Sequence, residues 1–237
     1  MDLKIIYEDD DVLVVDKPAG IIVFAEGKNN DGESHRTIVD LLLGKYPELA
    51  DVGDPPRYGI VHRLDKDTSG ILLVAKSNEA LIFLQKQFKN RTVEKKYVAM
   101  ATGDVKENNG RIETLIGRSP ADPRKQKTYP IQEIGTGRRI AITEYKVLQR
   151  FAKFTLLEVA PKTGRKHQIR CHLASIHCPI VRDKMYGFKD SPVPEGLERQ
   201  FLHASYIKIK LPNRQTREFN SELPEELKQV LNELTRI

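Results

Sequence analysis

Tryptophan is absent from this chain, and cysteine occurs twice and methionine three times in 237 residues. Two cysteines are too few for the disulfide framework of a small secreted scaffold. Cys171 and Cys178 read instead as small buried residues on one helix face in a reducing compartment. With His167 and His177 they would make a metal set, but that spacing matches no common zinc pattern, so no metal is expected. No apolar run approaches the roughly 20 residues that a membrane-spanning helix needs. The opening MDLKIIYEDDD lacks the basic flank and small-residue cleavage site of a signal peptide, and it is acidic where transit peptides are not. Internal repeats, low-complexity tracts and long linkers are also missing. These absences leave a cytoplasmic protein, with residues 1–237 expected to form a single domain.

What is present is an ordinary globular composition, 39% hydrophobic and 30% charged, which is enough to bury a core. Lys and Arg total 39 against 33 Asp and Glu, a net charge of +6. The excess is unevenly spread. Glu8–Asp11 is acidic, while cations gather at Arg118–Lys127, Arg138–Arg139 and Lys162–Arg170. Such runs suit a polyanionic partner, and they suit a plain solvated surface equally well.

Leu3–Tyr7 and Val12–Asp16 flank an acidic turn and predict a hairpin. Thr37 caps an expected helix through Tyr46, with Ile38, Leu41 and Leu42 on one face and Pro47 ending it. The apolar run Ile71–Ala75 reads as a strand, and Asn78–Lys89 as a helix with Leu81, Leu84 and Phe88 inward. Further strands are expected near Lys96–Ala101, Arg111–Leu115, Ala141–Leu148, Phe154–Val159 and Tyr206–Leu211. A helix is expected from near Gly164 to about His177, and a last one carries Leu227, Val230, Leu231 and Leu234 on one stripe after Pro224. Strands joined by turns rather than by regular crossover helices argue for an α+β fold with a largely antiparallel or mixed sheet.

Three stretches look chemical. In Tyr58–Gly70, reactive side chains crowd between two glycines just before an apolar strand, where functional loops are commonly carried. Asp65, flanked by His62, Arg63 and Lys66, would stay ionised and could act as a covalent nucleophile; a salt-bridged turn explains the same residues. In Pro161–Arg170, a Thr-Gly cap before a helix bearing Arg165, Lys166, His167 and Arg170 would bind phosphate or carboxylate; a basic solvated face is the alternative. Arg170 alternates with Ile169 and Leu173 and is expected to point inward, where it needs an anion such as Asp65. Tyr97, which follows Glu94-Lys95-Lys96 into a strand, is either a core aromatic or a residue that stacks on a base.

These stretches together resemble the RluA-type RNA pseudouridine synthases. The matching residues are Gly-Ile-Val-His-Arg-Leu-Asp-x-x-Thr-Ser-Gly at 59–70, Lys-x-Tyr at 95–97 and Thr-Gly-Arg-x-His-Gln-Ile-Arg-x-His-Leu at 163–173. Weaker cues are Lys17-Pro-x-Gly20, Thr143-x-Tyr145, Asp183 with Tyr186-Gly187, and Leu202-His203-Ala204. They stand in the family's order and cover nearly the whole chain. The chain departs from the common pattern at His177-Cys178-Pro179, at Arg182-Asp183 and at Ile21–Phe24, where a His often stands.

The resemblance implies a pseudouridine synthase fold, a large mixed, mostly antiparallel sheet flanked by helices with an active-site cleft across it. It makes Asp65 the nucleophile, Tyr97 the residue that stacks on the target base, and Arg170 the ion-pair partner of Asp65. Arg63 would fill the gap left by the flipped nucleotide, and Leu202 would line an apolar pocket. His62, Thr68, Arg165, Lys166 and His167 are expected at the substrate. It further implies an isomerase acting on ribosomal or transfer RNA as a monomer, without a cofactor and without the S4-type RNA-binding domain that many relatives add. Two rivals are an RNA-binding or remodelling protein with secondary or lost catalysis, and a carboxylate-pair hydrolase built on Asp65 and Asp67.

Overall fold

A computed structural model describes residues 2–25 and 36–235. Among the described residues ten strands run in chain order as β1 (Lys4–Glu8), β2 (Val12–Lys17), β3 (Ser69–Ala75), β4 (Glu94–Thr102), β5 (Asn109–Arg118), β6 (Gln126–Tyr129), β7 (Arg139–Phe151), β8 (Phe154–Pro161), β9 (Leu202–Lys210) and β10 (Thr216–Asn220). The helices are α1 (Ile38–Lys45), α2 (Asn78–Asn90), α3 (Gln168–Ser175) and α4 (Glu225–Glu233). A 3-10 turn covers Pro47–Asp51. Among the described residues no helix is long and apolar enough to cross a membrane. The chain divides into two compact units, Met1–Glu94 with Ala204–Glu222, and Lys95–His203 with Leu223–Ile237.

In the first unit the strand order is β1-β2-β3-β9, with β10 paired to β9. The β1–β2 hairpin forms as expected, because the acidic run closes it. Asp9 Oδ1 accepts the amides of Asp11 (2.9 Å) and Val12 (2.7 Å), and the Tyr7 hydroxyl donates to Asp9 Oδ2 (2.7 Å). Lys76 then bridges Glu8 Oε1 and the Asp9 carbonyl. The acidic cluster is therefore turn chemistry rather than plain surface.

Thr37 and Asp40 form a reciprocal capping box at α1, and Pro47 begins the 3-10 turn just past the helix end. Helices α1 and α2 bury Ile38, Val39, Leu41, Leu42, Leu81 and Leu84 in the same cluster as the fully covered Val12–Val15 and Ile71–Ala75. Each such side chain contributes about 1.5–3 kcal/mol of transfer free energy. Gly70 has φ 113, and any Cβ there would run into the Ala204 backbone, so only glycine fits.

In the second unit the order is β4-β8-β7-β5-β6, and the four pairings are antiparallel. Ala99, Leu157, Val159, Ile169, Leu173 and Leu202 make one apolar cluster. Leu227 and Val230 of α4 enter another with Met100, Phe151 and Phe201, against which Leu231 and Leu234 pack. The stripe expected for the last helix is thus the face it buries, and Glu225 and Glu226 favour the positive end of its dipole.

Two expected boundaries are wrong. Strand β9 begins at Leu202 rather than near Tyr206. The helix near Gly164 begins only at Gln168, and its N-cap is His167 in the left-handed region (φ 54), not a Thr-Gly cap. The Gln168 side chain is the cause. Its Oε1 accepts the Thr163 hydroxyl (2.6 Å) and the Arg165 amide (3.0 Å), which holds residues 163–167 as a loop. Arg165, Lys166 and His167 therefore lie on that loop and not on the first helical turns. The helix ends at Ser175, so Cys178 stands beyond it; both thiols are buried and free, as small core residues.

Candidate active site

The first unit carries the Gly59–Gly70 segment between an isolated bridge at Ile60 and strand β3. Asp65 is half-buried on a turn closed by the Thr68 amide donating to the Asp65 carbonyl (3.2 Å). That turn is pinned from below by Lys17, which is fully covered at the end of β2. The Lys17 ammonium donates to the carbonyls of Pro18 (2.8 Å), Lys66 (3.0 Å) and Thr68 (2.9 Å). The Gly20 amide also donates to the Lys66 carbonyl (2.9 Å). A buried cation among converging carbonyls is a charge-assisted staple, and here it fixes the backbone on the C-terminal side of Asp65.

His62 Nε2 accepts the Leu73 amide (3.2 Å), and its ring stacks on Phe88 of α2 at 4.9 Å. These contacts seat the loop on β3 and α2. Arg63 is exposed and sets its guanidinium 5.0 Å from the Phe24 ring centroid, as does Arg57. The departure at Ile21–Phe24 is thus matched by an aromatic platform that both arginines share. Thr68 is buried, and its carbonyl is one of the three held by Lys17.

The second unit carries the other expected residues. Tyr97 lies half-buried on β4 opposite Val159 of β8, against the apolar cluster that includes Leu202 and Ile169. Lys95 shares its strand face by alternation, and its Nζ comes 4.0 Å from where a Cβ on Gly164 would stand. Burial pulls the Lys95 pKa down to about 8. On the loop before α3, Arg165 Nε donates to the Ile140 carbonyl (3.1 Å), Lys166 is exposed, and His167 Nδ1 lies 3.0 Å from the Tyr186 hydroxyl.

Arg170 does point inward. Within this unit its anion is Asp183, gripped through Nε (2.7 Å) and Nη2 (2.9 Å). Burial by itself would raise the Asp183 pKa, but the Arg170 guanidinium and the amides of Met185 and Tyr186 outweigh it, and the carboxyl stays below its usual range.

Beneath α3 a polar network continues from Gln168. His172, fully covered, places Nδ1 2.8 Å from Thr143 Oγ1 and Nε2 3.1 Å from Thr114 Oγ1. Gln168 Nε2 also donates to Thr143 Oγ1 (2.9 Å). Burial lowers the His172 pKa to about 4. Between the ordinary value of 6.5 and about 4, the unfolded chain binds a proton that the folded chain does not. The His172 contribution is therefore complete above pH 6.5 and is lost as pH falls through that window. We expect wild type to lose about 2 kcal/mol more than His172→Gln between pH 7.5 and 5, measured by urea unfolding. Equal losses in the two proteins would show that His172 is not held neutral.

The sequence motifs named Lys17, Thr143, Asp183 and Tyr186 only as weak cues, yet Lys17 holds the turn that bears Asp65, Asp183 grips Arg170, Tyr186 meets His167, and Thr143 bonds Gln168 and His172. A lysine in the last place of the strand that begins with the apolar run Val12–Val15 is the local signal for the staple.

Comparison with known proteins supplies the rest. The RNA pseudouridylate synthase family matches residues 11–175, a stretch that runs through both units and includes Asp65, Tyr97 and Arg170. An RNA pseudouridine synthase of Aquifex aeolicus is 41% identical over 96% of this chain and 72% of its own length. The ribosomal large subunit pseudouridine synthase D of Nitrosomonas europaea is 38% identical over 99% of this chain, which spans 66% of that protein. Among solved structures, the human RNA pseudouridylate synthase domain containing 4 superposes with a TM-score of 0.74 at 25% identity, over 97% of this chain and 92% of that one. The human RNA pseudouridylate synthase domain containing 1 gives 0.72 at 28%, over 94% and 84%. With a family match through most of its length and relatives of this similarity, the chain belongs to the RNA pseudouridylate synthase family, in its RluA-type branch.

Proposed function

We propose that the chain converts uridines of ribosomal RNA to pseudouridine, as a cytoplasmic monomer in which residues 1–237 form one catalytic domain and Asp65 is the nucleophile. The observation that carries this reading is the Lys17 staple: a buried ammonium holds the turn that bears Asp65, so the carboxylate is presented from a fixed backbone. Preorganised placement of a reacting group is a large share of catalytic advantage. The ribosomal target is supported by the name of the Nitrosomonas europaea relative, and transfer RNA is the alternative that the test includes.

In this proposal the target uridine leaves its stack at a cost of a few kcal/mol, which favours loops over regular helices. Arg63, exposed and backed by Phe24, takes the vacated space. Asp65 promotes cleavage of the N1–C1′ bond, by attack on the sugar or base or by removing a sugar proton. The uracil turns, C5 bonds to C1′ as the bond to Asp65 breaks or the sugar proton is returned, and the C5 proton departs while N1 takes one up. Atoms and electrons balance within the nucleotide, so the reaction calls on no external oxidant or group donor. Tyr97 stacks on the base and its hydroxyl assists proton removal, Arg170 is the cation that accompanies the nucleophile, and Leu202 lines the apolar side. Arg165, Lys166 and His167 serve the RNA backbone, while His62 and Thr68 hold the Asp65 loop.

The test is tritium release from C5-labelled uridine in unmodified ribosomal and transfer RNA. Release from the ribosomal pool is the expected result; release from transfer RNA alone would overturn the target. RNA binding with no release from either pool would favour the RNA-binding rival. For Tyr97→Phe, stacking is retained and the hydroxyl lost, so we expect a rate about 100-fold lower at saturating RNA. An unchanged rate in single-turnover assays would remove Tyr97 from proton transfer.

A further inference from the structure

The carboxylate that meets Arg170 does more than neutralise it. The Asp183 side chain is fully covered, and the Arg170 side chain is 9% exposed. Asp183 Oδ2 takes Arg170 Nε, while Oδ1 takes Arg170 Nη2 together with the amides of Met185 (2.9 Å) and Tyr186 (3.0 Å). The Gly187 amide returns to the Asp183 carbonyl (2.9 Å). Residues 183–187 are therefore wound around one carboxylate, and this winding delivers Tyr186 to a defined place.

Tyr186 faces two ways. Its ring lies 5.2 Å from the Arg170 guanidinium carbon, and its oxygen accepts the Gln126 amide (2.7 Å). The same oxygen lies 3.0 Å from His167 Nδ1, in a hydrogen bond whose direction follows the imidazole tautomer. His167 needs such a hold. It sits at φ 54, which costs a non-glycine residue about 1 kcal/mol or more. One turn thus governs both ends of the step from the basic loop into α3. It grips Arg170 by the Nε–Nη2 edge, which sets where the opposite edge of the fork points, and it tethers His167 at the helix N-cap.

Stability is a poor reason for this arrangement. A buried ion pair returns about what its desolvation costs, so its chief contribution is direction. We propose that Asp183 and Tyr186 are positioning residues of the isomerisation, Asp183 by aiming the Arg170 guanidinium and Tyr186 by fixing His167 and the loop before it. This inference rests on the proposed part of Arg170 in the reaction.

Asp183→Asn keeps the shape and removes the charge, and the test compares it with Arg170→Ala and with the double variant. Single-turnover tritium release at saturating RNA is normalised to folded protein. The single variant should be slowed about 100-fold, with KM for RNA within about threefold of wild type. If Asp183 acts through Arg170, the double variant is no slower than Arg170→Ala alone. Asp183→Glu, which restores the charge, should recover part of the rate. A normal rate per folded molecule in Asp183→Asn, or losses that multiply in the double variant, would overturn the proposal. Should Asp183→Asn fail to fold, Tyr186→Phe against His167→Ala decides by the same non-additivity, since the ring remains and only the hydroxyl is lost. Failure of wild type to release tritium is a separate result, and it removes the synthase reading itself.

Discussion

Asp65→Asn releases tritium at no more than about one-thousandth of the wild-type rate and still binds RNA within a few-fold of wild type. The expectation follows from what the substitution changes. Asparagine keeps the size and most hydrogen-bonding capacity of the side chain, so the turn closed by the Thr68 amide and the Asp65 carbonyl survives, as does its attachment to Lys17. An amide is neither a useful nucleophile nor a base near neutral pH, so the chemical step loses its reacting group. In the proposed reading, binding draws on other residues, including Arg63 and Lys166, which are exposed. Filter binding and single-turnover release on the same preparation check both halves. Near-normal release from the variant would remove Asp65 from the reaction, and a parallel collapse of binding would mean that the loop had come apart.

Lys17→Met should be the most damaging change away from the reacting groups. Methionine nearly matches the length of the lysine stem, so packing at the end of β2 is kept while three hydrogen bonds from a charged donor disappear. The carbonyls of Pro18, Lys66 and Thr68 then lose that donor in a site from which Lys17 is wholly shielded from solvent. Hydrogen bonds to charged groups contribute about 1.5–3 kcal/mol each, offset by the desolvation of the ammonium. A net loss of roughly 3–5 kcal/mol is expected, a large fraction of the about 5–15 kcal/mol that holds a typical domain folded. Urea unfolding would read this as a lower midpoint at unchanged slope. Where the variant remains folded at low temperature, release should also fall, because the backbone after Asp65 is no longer pinned. A midpoint equal to wild type would show that the cradle does not hold the turn.

The elements that the sequence made plain are those whose signal is local. The Thr37 helix cap, the stripe ending at Leu231 and Leu234, and the fully apolar Ile71–Ala75 each declare themselves within a few residues. Strands β6 and β10 did not, because Gln126–Tyr129 and Thr216–Asn220 are mostly polar and become strands by pairing with β5 and β9. The late start of α3 was hidden for a similar reason. The Gln168 oxygen that holds residues 163–167 as a loop is set in place by its own amide nitrogen, which bonds Ile142 and Thr143, 26 and 25 residues away in sequence.

In the candidate site, motif order exposed Asp65, Tyr97 and Arg170, but not what supports them. The carbonyls of Lys66 and Thr68 lie 49 and 51 residues from Lys17, and Asp183 lies 13 from Arg170. Partners at such separations leave no local pattern. A buried charge can be suspected from a single apolar strand, whereas the group it serves is fixed only by the fold.

The most direct test of the central claim is to detect the product itself. Unmodified large-subunit ribosomal RNA is incubated with wild type or Asp65→Asn, digested to nucleosides and separated chromatographically. Pseudouridine formed by wild type and missing with the variant is the predicted result. Its appearance in equal amount with both, or with neither while the RNA is bound, would contradict a synthase that works through Asp65.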